Sequence, residues 1–312
     1  MKRRGFLGSV AALPLAPALG APAGWIDQRA SARVIVDNDF AGDPDGLVAL
    51  AHQALSPKAH TLLVTTSALD PKLAGMAGLD PGQSAAAGAR LARELLRRLA
   101  LRHAPAVAAG GEDQAAARAI VAEAMRDDPL PLFLTCGGPL TNVAAALKLN
   151  PEIARRMTLV WIGGSSASEG GAEYNLATDL AAARYVFEES QLPVWQVPAE
   201  EYRRFQVSVA ELTDIFCSLS PVSQWLYDQY RHLPPFVQLG GTITFGDSPL
   251  VSLTAFDTAA NPYTVRTARR ILDDCRNGDE IAGRRVRMFH SLDPRLNFAD
   301  FIALLRLHAR RS

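Results

Sequence analysis

The segment RVIVDNDFAGDPDG, residues 33–46, joins a run of β-branched residues to a dense group of carboxylates. The run 33–37 predicts a buried strand, and the apolar spacing of residues 47–55 predicts a helix soon after the carboxylates. In open α/β sheets the ligand crevice lies outside the carboxyl ends of the strands. The segment therefore predicts a strand–turn–helix unit with a candidate site at its turn.

The rest of the chain repeats this alternation of strand and helix. Short apolar runs bounded by turn residues predict further strands at residues 61–65, 132–135, 158–162 and 193–197. Leucines and alanines at helical spacing predict helices at residues 84–103, 114–126, 140–149, 180–189 and 265–275. Continuously apolar strands are typical of a sheet that is covered on both faces. We therefore predict an α/β fold, with one domain over residues 24–312 and a mostly parallel central sheet flanked by helices.

The composition excludes several classes of protein. The 312 residues are 48% hydrophobic and 21% charged, and 32 basic residues balance 32 acidic ones. A protein that binds nucleic acid usually has an excess of Lys and Arg, so we expect no nucleic-acid partner. The three cysteines, Cys136, Cys217 and Cys275, are widely spaced and indicate neither a disulfide framework nor a zinc site.

The first 23 residues have the features of an export signal. Lys2, Arg3 and Arg4 precede an apolar run that ends among small residues near position 20. This run has about 14 residues and two prolines, whereas a membrane-spanning helix needs roughly 20 apolar residues. The adjacent arginines resemble the twin-arginine signal of exported bacterial proteins. We therefore predict a cleavable signal over residues 1–23, a periplasmic or secreted mature protein, and no stable membrane insertion after cleavage.

Asp37, Asp39, Asp43 and Asp45 place four carboxylates within nine residues. Crowded like charges repel, and a hard cation held by oxygen ligands relieves the repulsion. The alternative is a solvated acidic turn that caps the following helix. An EF-hand loop starting at Asp37 is excluded, because it would have alanine at its fifth position, a proline inside the loop, and Val48 where a bidentate Glu is required.

Two later strand ends carry further candidates. Residues 135–142, TCGGPLTN, form a glycine turn that either lets the backbone approach a ligand closely or is simply a tight strand-to-helix connection. Glu173 and Asn175, in the segment EYN, would face the same side of an extended chain and hold vicinal hydroxyls. Alternatively they merely precede a helix that is capped by Thr178.

Taken together, these segments resemble the inosine-uridine-preferring nucleoside hydrolase family. That family opens with an aspartate cluster, DTDPGxDD or a longer form, and continues with a GPLTN turn and an EFN segment followed by an aspartate. It ends with a late aspartate after a strand. The matching segments here are DNDFAGDPDG at 37–46, GPLTN at 138–142, EYN at 173–175 with Asp179, and GDSPLV at 246–251. The resemblance extends from about residue 33 to residue 304.

The resemblance implies Ca²⁺-dependent hydrolysis of the N-glycosidic bond of a small-molecule ribonucleoside, releasing free base and ribose. By position, Asp39 would bind the metal and take a proton from the attacking water. Gly137 would offer its backbone carbonyl to the metal, and Asp247 would complete the carboxylate set. Glu173 and Asn175 would hold sugar hydroxyls.

Asp43 and Asp45 admit two assignments under this resemblance. Either Asp45 contacts the ribose while Asp43 joins the metal, or a one-residue shift of the alignment exchanges these roles. The implied metal ligands are therefore drawn from Asp39, Asp43, Asp45, Gly137 and Asp247. Two glycines depart from the family pattern: Gly46 replaces the second aspartate of an adjacent pair, and Gly246 replaces a histidine associated with protonating the leaving base.

Two other functions remain open at this point. One is a catalytically impaired family member that binds a ribosyl-type ligand without hydrolysing it. The other is a Mg²⁺-dependent phosphoryl-transfer enzyme, which is disfavoured because residues 34–57 contain no Lys or Arg to clamp a phosphate. A homo-oligomer is compatible with the sequence.

No acid for the leaving base follows from a motif. An aromatic and titratable cluster late in the chain would either contact a base and donate a proton or simply pack in the core. Its members are Trp225, Tyr227, Tyr230 and His232.

Overall fold

In a computed structural model of the chain, residues 26, 28–233, 237 and 239–311 are described. The predicted export signal lies outside these residues. Within them the chain forms ten strands. These are β1 (Ala32–Asn38), β2 (Ala59–Thr66), β3 (Ala106–Ala109), β4 (Leu132–Cys136), β5 (Met157–Ile162), β6 (Val194–Val197), β7 (Gln206–Ser208), β8 (Thr242–Thr244), β9 (Tyr263–Ile271) and β10 (Asn277–Phe289).

Eight of the strands form one central sheet in the order β3-β2-β1-β4-β5-β6-β10-β9. All neighbouring pairs in it are parallel except β10 and β9, which form an antiparallel hairpin at one edge. Strands β7 and β8 pair separately as a small antiparallel sheet. The predicted α/β fold with a mostly parallel sheet is confirmed.

Helices connect the parallel strands and cover both faces of the sheet. The α-helices of the described residues are α1 (Asp45–Leu55), α2 (Pro71–Met76), α3 (Ser84–Leu99), α4 (Ala115–Ala124), α5 (Thr141–Leu149), α6 (Tyr174–Thr178), α7 (Leu180–Arg184), α8 (Ala199–Tyr202), α9 (Val209–Leu219), α10 (Pro221–Tyr230), α11 (Pro249–Ala255) and α12 (Pro294–Ala309). None of them combines the length and the apolar character needed to cross a bilayer.

One predicted helix is wrong. Residues 265–275 form most of strand β9 and the turn that follows it. Thr264, Val265 and Ile271 are β-branched, and β9 pairs with β10 along its length, so strand pairing prevails over the helix-like spacing. Cys275 lies at the end of the predicted helix but in the hairpin turn of the structure. Its φ of 63° is positive, whereas residues of a right-handed α-helix have negative φ values.

The two faces of β1 belong to two separate parts of the core. Val34 and Val36 pack with apolar residues of α1, α3 and α12 on one face, whereas Ile35 packs with α4 and α5 on the other. This follows from the alternation of side chains along a strand. Because both faces are covered, polar side chains of β1 can reach a ligand only where the strand ends, at Asn38 and beyond.

Candidate active site

The carboxyl ends of β1, β4 and β5 open into a cavity of about 520 Å³. Among the described residues that line it there is no Lys, Arg or His, and the adjacent positions 234–236 and 238 are Pro, Pro, Phe and Gln. All seven of the predicted site residues border this one space. They are Asp39, Asp43, Asp45, Gly137, Glu173, Asn175 and Asp247.

The acidic turn fixes its carboxylates in different ways. The backbone N–H of Asp39 donates to Oδ1 of Asn38 at 2.8 Å, directly after β1 ends. Asp45 is the first residue of α1, where the helix dipole favours a negative charge. Pro44 at the N-cap forms no side-chain cap, and Asp43 accepts only a long bond of 3.4 Å from the Asp45 N–H. Helix capping therefore explains little of the acidic cluster.

Asp37, the first carboxylate of the acidic cluster, is fully buried beneath the cavity. Its Oδ1 accepts hydrogen bonds from Thr65 Oγ1 at 2.5 Å and from Asn142 Nδ2 at 2.8 Å. Asn142 is the last residue of the GPLTN segment. These bonds connect the end of β1 to β2 and to α5, so they hold the strand end in place.

Burial raises the pKa values of the cavity carboxylates. It raises the pKa of Asp39 to about 7, and the negative charges of Asp37 and Asp43 contribute to the rise. Burial likewise holds the pKa of Asp45 and of Asp247 well above the usual range, with further increases from neighbouring carboxylates. A bound cation offsets such repulsion, and protonation does so in its absence.

The side chain of Asn38 fills the space between two glycines. Its Nδ2 donates to Asp247 Oδ2 at 2.8 Å. A Cβ at Gly46 would lie 2.9 Å from that Nδ2, and a Cβ at Gly137 would lie 2.6 Å from Cγ of Asp247. Both glycines are therefore required while Asn38 and Asp247 keep these positions. The space beside Gly46 is thus taken by a neutral amide rather than a second carboxylate.

Glu173 is the N-cap of α6. Its carboxylate accepts four hydrogen bonds, which come from the backbone N–H groups of Gly164, Asn175 and Leu176 at 2.9, 3.2 and 3.1 Å and from the Tyr202 hydroxyl at 2.9 Å. A carboxylate has about four lone-pair sites, so Glu173 is saturated by protein donors. Through these hydrogen bonds Glu173 connects the loop after β5 to α6 and α8.

Two local predictions around Glu173 are wrong. The pair Glu173 and Asn175 is not extended, because α6 begins at Tyr174, although both side chains still border the cavity. The following helix is capped by Asp179, whose carboxylate accepts from the Ala182 N–H at 2.9 Å, and not by Thr178. The sequence thus indicated the start of this helix correctly but placed its cap at Thr178, one residue before the actual cap Asp179.

Asn175 orients its amide with two backbone carbonyls. Its Nδ2 donates to the oxygen of Gly137 at 3.1 Å and to the oxygen of Ile162 at 2.9 Å. Both amide protons are then used, which leaves Oδ1 as the atom that can accept a hydrogen bond from a ligand. The same contact fixes the Gly137 carbonyl at the end of β4.

The oxygen donors of the cavity suit a hard divalent cation in kind, because carboxylates and backbone carbonyls are the ligands that Ca²⁺ prefers. Across the described part of the chain, no three Asp, Glu, His or Cys side chains stand close enough together to hold one ion. Asp247 is engaged by Asn38, and Asp45 Oδ2 accepts from the Asp247 N–H at 3.1 Å. Binding by three carboxylates would therefore require these side chains to move.

Three tyrosines line the cavity, and two of them carried no prediction. The Tyr202 hydroxyl donates to Glu173, and the Tyr174 hydroxyl accepts from the backbone N–H of Asp70 at 3.3 Å. Tyr174 is the middle residue of the EYN segment, so its position between two predicted site residues could have indicated that it lines the cavity. Tyr202 belongs to no motif. The buried Tyr230 hydroxyl has no hydrogen-bond partner among the described residues.

The other members of the predicted aromatic cluster do not reach the cavity. Trp225 and Tyr227 pack against the core beside α3 and α9, which agrees with the core-packing alternative. The ring of His232 is exposed and contacts the Asp228 carbonyl at 2.7 Å through Nδ1.

A second cavity, of about 420 Å³, lies between the β9–β10 hairpin and the loop after β5. Its charged lining consists of Arg266, Arg269, Arg285 and Glu280. Among its described lining residues there are no paired carboxylates and no residue of the acidic turn, the GPLTN segment or the EYN segment. The candidate active site is therefore the first cavity.

The family model described as inosine-uridine preferring nucleoside hydrolase matches residues 60–246. The chain belongs to this family. The match includes the GPLTN and EYN segments, begins after the acidic turn, and ends one residue before Asp247. The two departures at Gly46 and Gly246 thus lie outside the match or at its very end.

Curated relatives match this chain in sequence over only part of its length. A pyrimidine-specific ribonucleoside hydrolase, RihA of Citrobacter koseri, is 32% identical over 127 residues, covering 34% of this chain and 40% of the relative. The chain thus matches less than half the length of such curated relatives. An inosine-uridine preferring nucleoside hydrolase from Bacillus anthracis has a TM-score of 0.64 at 16% identity, covering 88% of this chain and 99% of that one.

A further solved structure, an inosine-guanosine nucleoside hydrolase, has a TM-score of 0.67 at 17% identity and covers 89% of this chain and 98% of that one. At such low identities the likeness demonstrates a shared fold.

Proposed function

We propose that this family member hydrolyses the N-glycosidic bond of ribonucleosides and releases free base and ribose. The observation that carries the proposal is the convergence of Asp39, Asp45 and Asp247 on one cavity whose described lining contains no basic side chain. Departure of the base gives the ribose the character of an oxocarbenium ion. Carboxylates that are already in position stabilise this positive charge as it develops.

Asp39 is the base in this proposal. It is 8% exposed, it directly follows β1, and its backbone N–H is held by Oδ1 of Asn38. Water attacks the anomeric carbon, one of its protons passes to Asp39, and the bond to the base breaks with its electron pair going to the base, which then takes up a proton from solvent. A carboxylate that is shielded from solvent is a stronger base than one in water, because burial favours its protonated form.

Asn175 is proposed to hold the sugar. Its Oδ1 can accept from a ribose hydroxyl while its Nδ2 remains bonded to the carbonyls of Gly137 and Ile162. Glu173 would contact a second hydroxyl only by exchanging one of its four present donors. Through Tyr202 and Gly164 it already positions the wall of the cavity.

After movement of the side chains that Asn38 and the Asp247 N–H now engage, a Ca²⁺ ion would be held by Asp39, Asp247, the Gly137 carbonyl and one aspartate of the turn. Asp45 is the better candidate of the two, because its Oδ2 lies beside the backbone of Asp247, whereas Asp43 is exposed at the rim. When bound, such an ion orients a sugar diol and lowers the pKa of the attacking water.

The twin-arginine-type signal supports export of the mature chain. We therefore place the proposed activity in the periplasm or outside the cell. Its natural role there would be the breakdown of extracellular nucleosides for salvage.

The proposal is tested by incubating residues 24–312 with a panel of ribonucleosides and Ca²⁺ and measuring free base and ribose. In Asp39→Asn, kcat is expected to fall by about 10²–10⁴-fold, the usual contribution of a general base. Asp279→Asn, an exposed carboxylate of the β9–β10 hairpin, is the matched control and should retain activity. Release that persists in Asp39→Asn would remove Asp39 as the base.

A second candidate is a ribosyl-binding protein that does not hydrolyse its ligand. It is favoured by the position of Asn38, whose neutral amide takes the space beside Gly46 and engages Asp247. Calorimetry separates the two functions. Saturable nucleoside binding without release of any base would support this candidate, and turnover would exclude it.

A further inference from the structure

The second cavity, between the β9–β10 hairpin and the loop after β5, is built like a small-molecule site. Its volume of about 420 Å³ lies within the roughly 300–1,000 Å³ that ligand pockets occupy. Most of its deeply buried lining is apolar, and each of these side chains is at most 8% exposed. They are Trp161, Leu176, Phe187, Ala268, Val286 and Met288. An apolar part of a ligand is shielded from water when it lies against them.

The exposed lining of the same cavity is basic. Three arginines, Arg266, Arg269 and Arg285, stand against one described carboxylate, Glu280, which leaves two net positive charges. An arginine has five N–H donors in a planar fork that fits a phosphate group. Arg266 uses one donor, at 2.9 Å from a carbonyl of the loop after β5, and Arg285 uses one, at 3.1 Å from Thr267 Oγ1. Most of their donors therefore remain available to an anion.

The pairing of Arg269 with Glu280 is weak. The two charged groups lie 3.7 Å apart, and their side chains are 41% and 61% exposed. An ion pair in so much water contributes little free energy. A phosphate group can therefore compete with Glu280 for Arg269.

A buried amide, Gln196, also borders the cavity. Gln196 is 7% exposed, and its Nε2 donates to the Gly163 carbonyl at 2.8 Å. Within the described part of the chain no donor is bonded to its Oε1, although a buried acceptor normally has a partner. A hydroxyl group of a ligand is the kind of donor that satisfies this atom.

Helix α6 separates the second cavity from the active-site cavity. Leu176 lines the former, whereas Tyr174 and Asn175, on the same short helix, line the latter. The described lining of the active-site cavity has no basic side chain, so it does not attract a phosphate group. The two cavities therefore suit ligands of different charge.

We propose that the second cavity binds a nucleoside 5′-monophosphate. The arginines hold the phosphate, whose charge of about −1.5 to −2 at pH 7 balances the two net charges of the lining. Gln196 Oε1 accepts from a ribose hydroxyl, and the base lies against the apolar lining beside Trp161 and Phe187. This assignment concerns binding alone, so it stands or falls separately from the hydrolase function.

Calorimetric titration of the mature chain with adenosine 5′-monophosphate and with inorganic phosphate tests the proposal. We expect the nucleotide to bind at one site per chain and at least about tenfold more tightly than phosphate, because its base buries apolar surface. Raising the NaCl concentration should weaken this binding, since the arginines are exposed to screening. Failure of the nucleotide to bind, or equally tight binding of inorganic phosphate, would overturn the assignment.

Arg266→Gln and Arg269→Gln locate the phosphate. Each variant should weaken nucleotide binding by about tenfold or more, since hydrogen bonds to charged groups are worth at least that much. Arg118→Gln is the matched control, because Arg118 is an exposed residue of α4 outside the cavity and its loss changes the net charge equally. The control should bind as the wild type does. Unchanged binding in both cavity variants would place the nucleotide elsewhere and overturn the proposal.

Gln196→Met tests the contact with the ribose. The substitution should weaken binding of adenosine 5′-monophosphate by at least about threefold, the usual net value of a neutral hydrogen bond. Binding of 2′,3′-dideoxyadenosine 5′-monophosphate, which lacks both hydroxyls, should be the same in the variant and the wild type. An equal loss with both ligands would show that Gln196 accepts no ribose hydroxyl, which contradicts the proposed placement of the nucleotide.

Discussion

The side-chain amide of Asn38 donates a 2.8 Å hydrogen bond to the carboxylate of Asp247, which lies 209 positions later in the chain. The Oδ1 atom of the same amide accepts from the backbone N–H of Asp39. A single neutral side chain therefore connects the end of β1 to the turn before α11. It sets the positions of two carboxylates on which the proposed chemistry depends.

Replacing Asn38 by leucine is expected to reduce both stability and activity. The substitution leaves Asp247 buried without its donor, and a buried polar group that loses its partner costs about 1–3 kcal/mol. Urea unfolding at pH 7 measures this cost. Asn277→Leu makes the same chemical change on the β9–β10 hairpin, where the amide forms only long bonds of 3.3 and 3.4 Å. Equal losses in the two variants would show that the contact with Asp247 contributes nothing special.

Gly137→Ala is expected to damage the site more than a normal glycine substitution. The new Cβ would lie 2.6 Å from Cγ of Asp247, so Asp247 or the end of β4 must shift. Such overpacking typically costs about 1–3 kcal/mol. Activity should fall with it, because the Gly137 carbonyl and the Asn175 amide are bonded to each other.

The matched control for Gly137→Ala is Gly75→Ala in helix α2. A Cβ at Gly75 meets no atom within 4 Å, and alanine is favoured over glycine inside a helix by roughly 0.5–1 kcal/mol. The control should therefore keep or slightly increase the melting temperature. If both variants melt alike and hydrolyse alike, the close packing at Gly137 has no consequence.

The site was more predictable from the sequence than its internal contacts were. Asp39, Asp43, Asp45 and Gly137 border one cavity because they follow the ends of the neighbouring parallel strands β1 and β4, which meet at one edge of the sheet. Asp247 follows β8 of the separate two-stranded sheet, and Glu173 lies well beyond the end of β5, so strand ends do not account for these two, and Asp247 was found through the family resemblance. The role of Asn38 was not predictable, since nothing in the letters DND indicates that the middle side chain reaches Asp247. The saturation of Glu173 depends on Tyr202, which belongs to a different helix and to no motif.

For the fold as well, elements marked by local sequence patterns were predicted correctly, and the element that depends on a distant partner strand was not. The five predicted strands were found because apolar runs between turn residues are a local signal. The helix predicted at 265–275 was wrong because β9 is a strand only in the presence of its partner β10. An edge hairpin with many exposed arginines has no continuous apolar run, so neither of its strands resembled the buried ones.

His52 makes stability depend on pH at a site away from the cavity. Burial lowers the pKa of His52 below its ordinary value, although Asp300 at 2.9 Å from Nε2 opposes the shift. Below pH 6.5 the unfolded chain takes up a proton that the folded chain resists, so stability falls as pH falls through this window. The loss approaches about 1.4 kcal/mol per pH unit until the folded pKa is reached.

Unfolding measured from pH 7.5 to pH 5 tests this prediction for His52. In His52→Gln the decrease in the free energy of unfolding with falling pH should lose the part that His52 contributes. His60→Gln, at an exposed position of β2, is the control for the substitution itself. A slope that is unchanged in His52→Gln would mean that His52 does not titrate differently in the folded and unfolded states.

Added Ca²⁺ is expected to stabilise the folded protein against heat. The cavity carboxylates are buried and raise one another's pKa values, so a cation relieves a repulsion that exists only in the folded state. At a concentration 100-fold above its dissociation constant, a ligand of the folded state adds about 2.7 kcal/mol. Asp247→Asn should lose most of the resulting shift in melting temperature, whereas the exposed Asp279→Asn should retain it. An equal shift in Asp247→Asn and in the wild type would place the ion elsewhere, and no shift in either protein would remove Ca²⁺ from the proposed mechanism.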